Sequence, residues 1–410
     1  MFKIKLHWQI LIALVLAILF GFFFPQDVQY VKWMGDLFLR GLKMIIVPLI
    51  LTSIVTGVAN IGDAQDLGKL GLKTIVYYIT TSLFAIITGL LLVNFIQPGV
   101  GADLGFSKSI EGIDVSSQGL GNVLMKMVPT NIFQALASAD MLAIIFFSIL
   151  VGFFLMKIAK EYKDPLLNLF NGGFELMMKI TSFVIKFTPL GIFGIVAAVV
   201  AEQAGDRQAL LDITQRLGMY MAAVLGGLFF HAFITLPVLL RLIGKVNPYK
   251  HFQAMTTPLL TAFSTSSSSA TLPLTMDAVE NNVGVSNKIT SFVLPLGATV
   301  NMDGTALYEC VAAMFIAQAY GIHLSFLSQI VVVFTALLAS IGAAGIPMAG
   351  LVMITVILSA VGLPLEGVGL ILAVDRILDM CRTTVNVWSD SCGSAIIAKT
   401  EGEELKVQIY

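Results

Sequence analysis

A short stretch near the C-terminus concentrates charged side chains inside an apolar chain. Residues 375–390 read DRILDMCRTTVNVWSD, with three carboxylates and two guanidinium groups. At about 100° per residue, roughly a third of a helix surface there is polar. The polar positions are Asp375, Asp379, Arg382, Thr383, Asn386 and Asp390, opposite Ile377, Leu378, Cys381 and Val385. One polar stripe on an apolar helix is typical of a helix that lines a site or a pathway inside a membrane.

Two charges of this stripe could hold opposite ends of a ligand. Arg382 can donate two parallel hydrogen bonds to a planar carboxylate, and Asp379, one turn earlier, could bind an ammonium group. Charges inside membranes often pair, so a structural ion pair between these two residues is the alternative. Free backbone amides at Ser267 and Ser268 could receive a second carboxylate. The combination predicts an acidic amino acid as the ligand.

A second polar constellation interrupts another apolar helix. The residues NMDGT at 301–305 break a helix expected over 286–318, and they supply carbonyl, amide and carboxylate oxygens that suit Na⁺. The alternative is a kink whose polar side chains satisfy its own broken backbone. Tyr78, Thr81 and Ser82 place three more oxygens on one helix face. Serine and threonine in membrane helices, however, often bond the carbonyl four residues earlier.

Glu309 lies one helical turn after Thr305, deep in an apolar segment. A carboxylate that is buried without a partner is favoured in its neutral form. Such a group can carry a proton across the membrane if the site alternates between its two sides. A glutamate held by a local hydrogen bond is the alternative.

The composition is typical of an integral membrane protein. Hydrophobic residues make up 57% of the 410 residues, charged residues 12%, and the mean hydropathy is +0.90. A net charge of −1 without a basic run disfavours nucleic-acid binding. Cys310, Cys381 and Cys392 lie in apolar segments, which predicts small core residues and no disulfide framework.

Six apolar segments are long enough to span a membrane. They lie at about 8–25, 37–60, 74–97, 136–157, 171–199 and 217–243. Lysine and arginine concentrate in alternate loops, beginning with Lys3 and Lys5, which predicts a cytoplasmic N-terminus. We expect no cleaved leader, and we expect the glycine-containing loop at 98–135 to be external.

Two later apolar segments are interrupted in their middle. Segment 252–275 is interrupted by the run STSSSS at 264–269, and segment 325–362 by GAAGIPMAG at 342–350. Unpaired backbone in a membrane is tolerated only inside protein or beside a watery cavity, so each segment predicts a re-entrant hairpin. A polar-striped helix follows each one, at 286–318 and 366–398. Interrupted segments in corresponding halves indicate an inverted-repeat transporter.

Four of these features, in this order and spacing, strongly resemble one family. They are the run Ser266–Ser269 followed by ATLP, the NMDGT break, the GIP tip at 345–347 and the helix at 375–390. The chain resembles the dicarboxylate/amino acid:cation symporters, the glutamate transporter homologues, over nearly its whole length. The resemblance implies an all-α membrane protein with eight transmembrane helices and two re-entrant hairpins in inverted repeats. It further implies an elevator mechanism in a homotrimer.

The resemblance also implies a division of the chain and a set of site residues. Residues 1–73 hold scaffold helices 1 and 2, 74–97 form transport-domain helix 3, 98–200 hold the external loop and scaffold helices 4 and 5, and 201–410 complete the transport domain. The substrate is expected at Ser267, Ser268, Thr305, Ile346, Gly350, Asp379, Arg382, Thr383 and Asn386. Sodium is expected in three sets: Gly297, Asn301, Asn386 and Asp390; Ser340, Ile341 and second-hairpin carbonyls; and Tyr78, Thr81, Ser82, Asn301 and Asp303.

The chain matches different branches of the family at different positions. Glu309 resembles the proton-carrying glutamate of animal excitatory amino acid carriers, which implies proton co-transport and leaves potassium counter-transport open. Ser266 replaces an arginine of archaeal members, as it does in animal members. Animal members have an arginine where this chain has Met380, and Arg376 is our hypothesis for its substitute. Ser389 replaces the usual glycine before Asp390, which bears on the sodium geometry there.

The sequence therefore predicts a secondary active symporter for glutamate or aspartate, driven by sodium and a proton. We expect no enzyme activity and no resident cofactor, and a multi-pass location in the plasma or inner membrane with both termini cytoplasmic. One methylene is worth only about 1–3 kcal/mol in a pocket, so glutamate and aspartate both stay candidates. A C4-dicarboxylate symporter is the alternative, since only an amine requires Asp379. More distant alternatives are an anion-conducting channel and an intramembrane aspartyl enzyme.

Overall fold

The regular elements of the chain are helices. The computed structural model describes residues 6–66, 69–101, 128–202, 207–342 and 349–407, together with Met125. Within these ranges the helices are connected by short turns, which confirms the all-α prediction. The predicted second-hairpin tip, including Ile346, and most of the predicted external loop lie outside the described residues.

The described residues up to 202 hold seven α-helices, which we number in chain order. They are α1 (Leu6–Phe23), α2 (Lys32–Asp66), α3 (Lys69–Ile96), α4 (Ile132–Ser138), α5 (Met141–Leu155), α6 (Lys160–Ile185) and α7 (Thr188–Glu202). Helices α2 and α3 are each long and apolar enough to cross a membrane, and α6 and α7 form one span if their 51° bend is counted as a break.

Ten more α-helices and two π-helical turns, the second of them Val279–Val283, lie in the described ranges 207–342 and 349–407. The helices are α8 (Arg207–Phe230), α9 (Leu236–Leu242), α10 (Pro248–Ala254), α11 (Thr256–Thr265), α12 (Ser268–Ala278), α13 (Asn287–Val300), α14 (Asp303–Ala319), α15 (Phe326–Gly342), α16 (Ala349–Ala360) and α17 (Val368–Thr400). A π-helical turn, His231–Thr235, joins α8 to α9, so residues 214–242 form another membrane-length segment. Large apolar side chains such as Phe95 and Phe326 lie exposed on the surface, where lipid would cover them.

The serine run reverses the chain between α11 and α12. Ser266 has a left-handed backbone, with φ 52° and ψ 37°, which ends α11. Ser267 is extended, and its hydroxyl accepts a hydrogen bond from the Ala270 amide, so it caps the start of α12. The chain therefore reverses in the predicted first hairpin because a residue with left-handed backbone ends α11 and the next residue, a serine, caps α12.

The predicted break at NMDGT lies between α13 and α14. Asn301 and Met302 leave the helical backbone region, with ψ angles of 83° and 58°. Gly304 follows at the start of α14, and a Cβ added there would lie 2.5 Å from the Arg382 carbonyl oxygen. Only a glycine allows α14 and α17 to approach this closely.

The helices pack as two groups. Helix α2 contacts α5, α6 and α7, and α1 contacts α7. A second group is built on α14, which contacts α3, α8, α15, α16 and α17, while α9, α11, α12 and α13 contact α17. Every residue of α14 from Asp303 to Ala317 is buried, so this helix forms the centre of the second group. The central helix thus carries its polar residues with no access to lipid.

Candidate substrate and ion site

The break before α14 meets the polar stripe of α17. Asn386 accepts a hydrogen bond from the Gly304 amide at 2.8 Å and donates one to the Thr305 hydroxyl at 3.0 Å. The Asn301 side-chain amide donates to Asp390 Oδ1 at 2.8 Å. All of these side chains are buried, so the backbone exposed by the break is satisfied by a neighbouring helix. The kink alternative, in which the break satisfies only itself, does not describe this arrangement.

The Asp303 carboxylate has different neighbours on its two oxygens. Oδ1 lies 2.6 Å from the Ser82 hydroxyl and 3.3 Å from the Thr81 hydroxyl, both on α3. Oδ2 accepts from the Ser389 hydroxyl at 2.6 Å and lies 3.0 Å from His231 Nε2. The carboxylate is fully buried, and four polar groups from three directions hold it. A buried carboxylate with several hydrogen-bonding neighbours is a stable ligand for a hard cation.

The three oxygens on α3 do not act alike. Ser82 points to Asp303, whereas Tyr78 donates its hydroxyl to the Val293 carbonyl at 2.5 Å. Thr81 bonds the carbonyl of Tyr77, four residues earlier, at 3.0 Å and also lies near Asn301 Oδ1 at 3.4 Å. The Thr81 hydroxyl therefore bonds its own helix, as the alternative expected, and also lies beside the side chains of Asn301 and Asp303.

Gly297 leaves room for a carboxylate at the backbone of α13. A Cβ at this position would lie 2.5 Å from Asp390 Oδ1 and 2.9 Å from the Tyr78 hydroxyl. The missing side chain therefore brings the predicted ligands of one sodium set together. Asn301, which belongs to the same predicted set, donates to Asp390 from the break.

Arg382 and Asp379 form a buried ion pair. Arg382 donates to Asp379 Oδ1 from Nε at 3.0 Å and from Nη2 at 2.7 Å, and its side chain is 1% exposed. Nη1 lies 3.7 Å from Asp375 and makes no hydrogen bond to the described residues, and the guanidinium stacks on Tyr308 at 4.3 Å. The internal pair, which was the alternative, is therefore present. Within the part of the chain that the structure describes, one buried guanidinium nitrogen still lacks an acceptor.

The other predicted substrate residues lie around this ion pair. A Cβ at Gly350, the second residue of α16, would collide with the Arg382 guanidinium, so the second hairpin passes directly over the arginine. Thr383 and Ser268 are buried. The Ser267 amide, expected to be free, donates to the Thr265 hydroxyl at 3.3 Å. Arg376, our substitute for the missing arginine, reaches Asp379 Oδ2 at 3.7 Å.

The remaining ion and proton residues occupy separate places. Ser340 is buried and donates to the Leu337 carbonyl, while Ile341 lies against Gly57 of α2. Glu309 is completely buried, and neither of its carboxylate oxygens has a hydrogen-bond partner among the described residues. A local hydrogen bond to Glu309, the alternative reading, is therefore not observed there.

Comparison with known proteins agrees with these features. The sequence profile described as Sodium:dicarboxylate symporter family matches residues 6–400. The chain belongs to this family. Three similar members of the symporter family are the proton/sodium-glutamate symport protein of Bacillus caldotenax, 38% identical over 98% of this chain and 96% of its own; the proton/glutamate-aspartate symporter of Escherichia coli strain K12, 37% identical over 97% and 93%; and excitatory amino acid transporter 3 of Mus musculus, 36% identical over 98% and 87%.

Sequence reasoning missed three contributors to this symporter's site. His231 was given no role, yet it contacts Asp303. Asp375 and Tyr308 were given no role, yet the Tyr308 hydroxyl donates to Asp375 at 2.5 Å and both neighbour Arg382. A histidine in the middle of an apolar membrane segment is itself a signal of function. Its partner, however, is distant in sequence.

Proposed function

We propose that this protein takes up glutamate or aspartate by secondary active symport, driven by sodium and accompanied by a proton. The observation that carries the proposal is the buried Asp379–Arg382 pair beside Asn386, in helices that are otherwise apolar. Buried charge is costly, so a chain that retains it in a membrane is expected to use it. Two of the relatives named above are symporters of glutamate, or of glutamate and aspartate, with protons or with protons and sodium.

The ion pair suggests how a zwitterion with an extra carboxylate binds. Arg382 would release Asp379 and hold the side-chain carboxylate of the substrate, while Asp379 would hold its ammonium group. Each buried charge would then exchange one partner for another, so neither is left uncompensated. Nη1 of Arg382, which makes no hydrogen bond to the residues that the structure describes, offers a donor to the second carboxylate oxygen. Ser267, Ser268, Thr305, Ile346, Gly350, Thr383 and Asn386 are the remaining proposed substrate contacts.

Sodium would bind in two sets of oxygens supported by these contacts. Thr81 lies within hydrogen-bonding distance of Asn301 and Asp303, Ser82 lies within that distance of Asp303, and Tyr78 would complete the set. Asp390, Asn386, Asn301 and Gly297 form the second set. The third proposed set, Ser340 and Ile341 with hairpin carbonyls, lies at the end of α15. Filling these sites with cations would offset the negative charge that the substrate brings into the membrane.

Glu309 is our proposed proton carrier. Its carboxyl is completely buried and lacks a hydrogen-bond partner among the described residues, so the neutral form is favoured. A proton bound on one side of the membrane would therefore travel with the substrate. Potassium counter-transport is left to experiment.

The two helix groups support an elevator mechanism. The group formed by α1, α2, α5, α6 and α7 would be the scaffold of a homotrimer, and the group around α14 would carry the site across the membrane in one piece. The hairpins would gate the site on its two sides. Eight helices would span the membrane, with the two hairpins re-entrant and related by an inverted repeat.

The protein would lie in the plasma or inner membrane with both termini facing the cytoplasm. Lys73, near the start of α3, donates to the Thr400 carbonyl at the end of α17 and pairs with Glu401 at 2.5 Å. The C-terminal end of α17 and the N-terminal end of α3 therefore lie on one side. Lysines at positions 69 and 73 mark that side as cytoplasmic.

Uptake into proteoliposomes tests the proposal. Labelled glutamate or aspartate should accumulate when sodium is outside, and accumulation should increase when a proton gradient is added. Flux that only follows the substrate gradient would indicate a channel, and uptake of succinate without the amino acids would indicate a dicarboxylate carrier. Absence of sodium dependence would contradict the proposed coupling.

A further inference from the structure

We propose that Ser389 is a positioning residue of the sodium site formed with α3, and this inference rests on the proposed function. In place of the glycine expected at this position, the chain has a hydroxyl. The hydroxyl orients one oxygen of Asp303 and one oxygen of Asn301 toward Thr81 and Ser82. The serine thereby sets the affinity of this site for sodium without touching the ion.

The Ser389 hydroxyl uses both of its hydrogen-bonding roles inside the site. It donates to Asp303 Oδ2 at 2.6 Å and accepts from Asn301 Nδ2 at 3.1 Å. The residue is completely buried on α17, so water cannot replace either bond. A serine hydroxyl has a single proton, so these two bonds fix its direction.

The bond to Asp303 assigns different tasks to the two carboxylate oxygens. Ser389 and His231 Nε2 both face Oδ2, at 2.6 and 3.0 Å. An ionised carboxylate only accepts hydrogen bonds, so both neighbours act as donors to it. Oδ1 is left facing α3, where the hydroxyls of Ser82 and Thr81 lie at 2.6 and 3.3 Å. A cation among these oxygens would therefore meet Oδ1 alone.

The bond from Asn301 fixes the direction of its side-chain amide. Nδ2 donates to Ser389 at 3.1 Å and to Asp390 Oδ1 at 2.8 Å, and Oδ1 consequently faces Thr81 Oγ1 at 3.4 Å. Without the serine hydroxyl, the amide would keep only the Asp390 acceptor at this end. Rotation of the amide would then turn its nitrogen toward the cation and remove one ligand oxygen.

Loss of the hydroxyl should therefore weaken sodium binding. A hydrogen bond to a charged group is worth enough to change an equilibrium constant by about tenfold. Loss of the hydroxyl would instead strengthen sodium binding if its main effect were to draw negative charge of Asp303 away from the cation. The geometry favours the first effect, because Ser389 bonds the oxygen that faces away from α3.

The test is a sodium titration of substrate binding to the purified full-length protein. Glutamate or aspartate binding would be measured by calorimetry at several sodium concentrations, with choline keeping the ionic strength constant. We expect Ser389→Ala to raise the half-saturating sodium concentration about tenfold and Ser389→Thr to restore it. At saturating sodium, substrate affinity should return to the wild-type value, which a general structural defect would not allow.

Ser391→Ala is the matched control. Ser391 is a buried serine two residues later on α17, and its hydroxyl bonds the Trp388 carbonyl and lies 3.2 Å from His251, away from the ion site. The control should titrate like the wild type. Should Ser389→Ala not be recovered folded, Ser389→Gly removes the same hydroxyl and carries the same test.

The outcomes separate this inference from the function on which it rests. If wild-type protein binds the amino acid equally well without sodium, sodium coupling is wrong and the inference is wrong with it. If wild-type binding needs sodium but Ser389→Ala shows unchanged or tighter sodium dependence, only the inference is overturned. A loss of substrate affinity that saturating sodium does not restore also overturns it.

Discussion

Replacing Asp379 by asparagine separates an amino acid carrier from a dicarboxylate carrier. The carboxylate accepts two hydrogen bonds from Arg382, at 2.7 and 3.0 Å, and lies 3.7 Å from Arg376. Asparagine has nearly the same shape but no charge. The change removes the proposed partner of the substrate ammonium group and leaves Arg382 with Asp375 as its remaining counter-charge, at 3.7 Å.

Asp379→Asn should weaken the binding of amino acids but not the binding of dicarboxylates. A charge-assisted hydrogen bond to the ammonium group contributes about 1.5–3 kcal/mol. Its loss weakens amino acid binding by roughly 10- to 150-fold. A dicarboxylate without an amine loses no such bond. It would also find Arg382 already released from its internal partner, so its binding should be unchanged or tighter.

The assay is competitive uptake of labelled glutamate, aspartate and succinate into proteoliposomes under one sodium gradient. Asp375→Asn is the matched control, because it removes an equal charge close to the same guanidinium. The side-chain oxygen of an asparagine at position 375 can still accept the hydrogen bond from the Tyr308 hydroxyl. The control should lower stability without changing the ratio of amino acid to dicarboxylate uptake.

Two results would refute this reasoning. Unaltered glutamate and aspartate uptake by Asp379→Asn would mean that the carboxylate serves the internal ion pair and no ligand amine. An equal change of substrate preference in Asp375→Asn would mean that the net charge of the cluster decides preference, with no specific contact of Asp379.

Three further perturbations address the ions and one surface pair. Glu309→Gln should abolish the stimulation of uptake by a proton gradient while sodium-dependent exchange of internal for external substrate continues; persistent stimulation would exclude Glu309. Gly297→Ala places a Cβ 2.5 Å from Asp390 Oδ1 and should raise the half-saturating sodium concentration in uptake assays by about tenfold or more, and an unchanged value would remove Asp390 from the ion site. Lys73 donates to Glu401 and holds the pKa of this carboxyl below its usual value of about 4.3. A depressed pKa adds stability that is present at neutral pH and lost as pH falls through the folded-state pKa, so Lys73→Met should lower the melting temperature more at pH 7 than in acid, where only its hydrogen bond to the Thr400 carbonyl is lost; an effect that is independent of pH would count against the pair.

Much of the fold could be predicted because membrane segments are constrained locally. A segment in lipid must satisfy its own backbone, so long apolar runs predict helices and interruptions predict protected breaks. The break at NMDGT lies between α13 and α14, and the serine run lies between α11 and α12. The π-helical turn that holds His231 has no comparable signal in the sequence.

The site could be predicted only in part. Periodicity placed Asp379, Arg382 and Asn386 on one side of a helix, and all three are buried together. It could not show that Arg382 pairs with Asp379 and stacks on Tyr308, because the choice among several possible partners depends on side-chain directions. Ser389 was noted only as a departure from the usual glycine, and the sequence could not show that its hydroxyl faces Asp303 on a different helix.

The sequence by itself determined the family, the helical class and the residue types that suit an acidic ligand and alkali cations. These follow from local patterns: apolar length, helical periodicity and the composition of each break. Tertiary structure alone decided which oxygen of Asp303 faces α3 and which faces His231. The physical reason is that hydrogen bonds act over about 3 Å, whereas their partners here lie 72 to 221 residues apart along the chain.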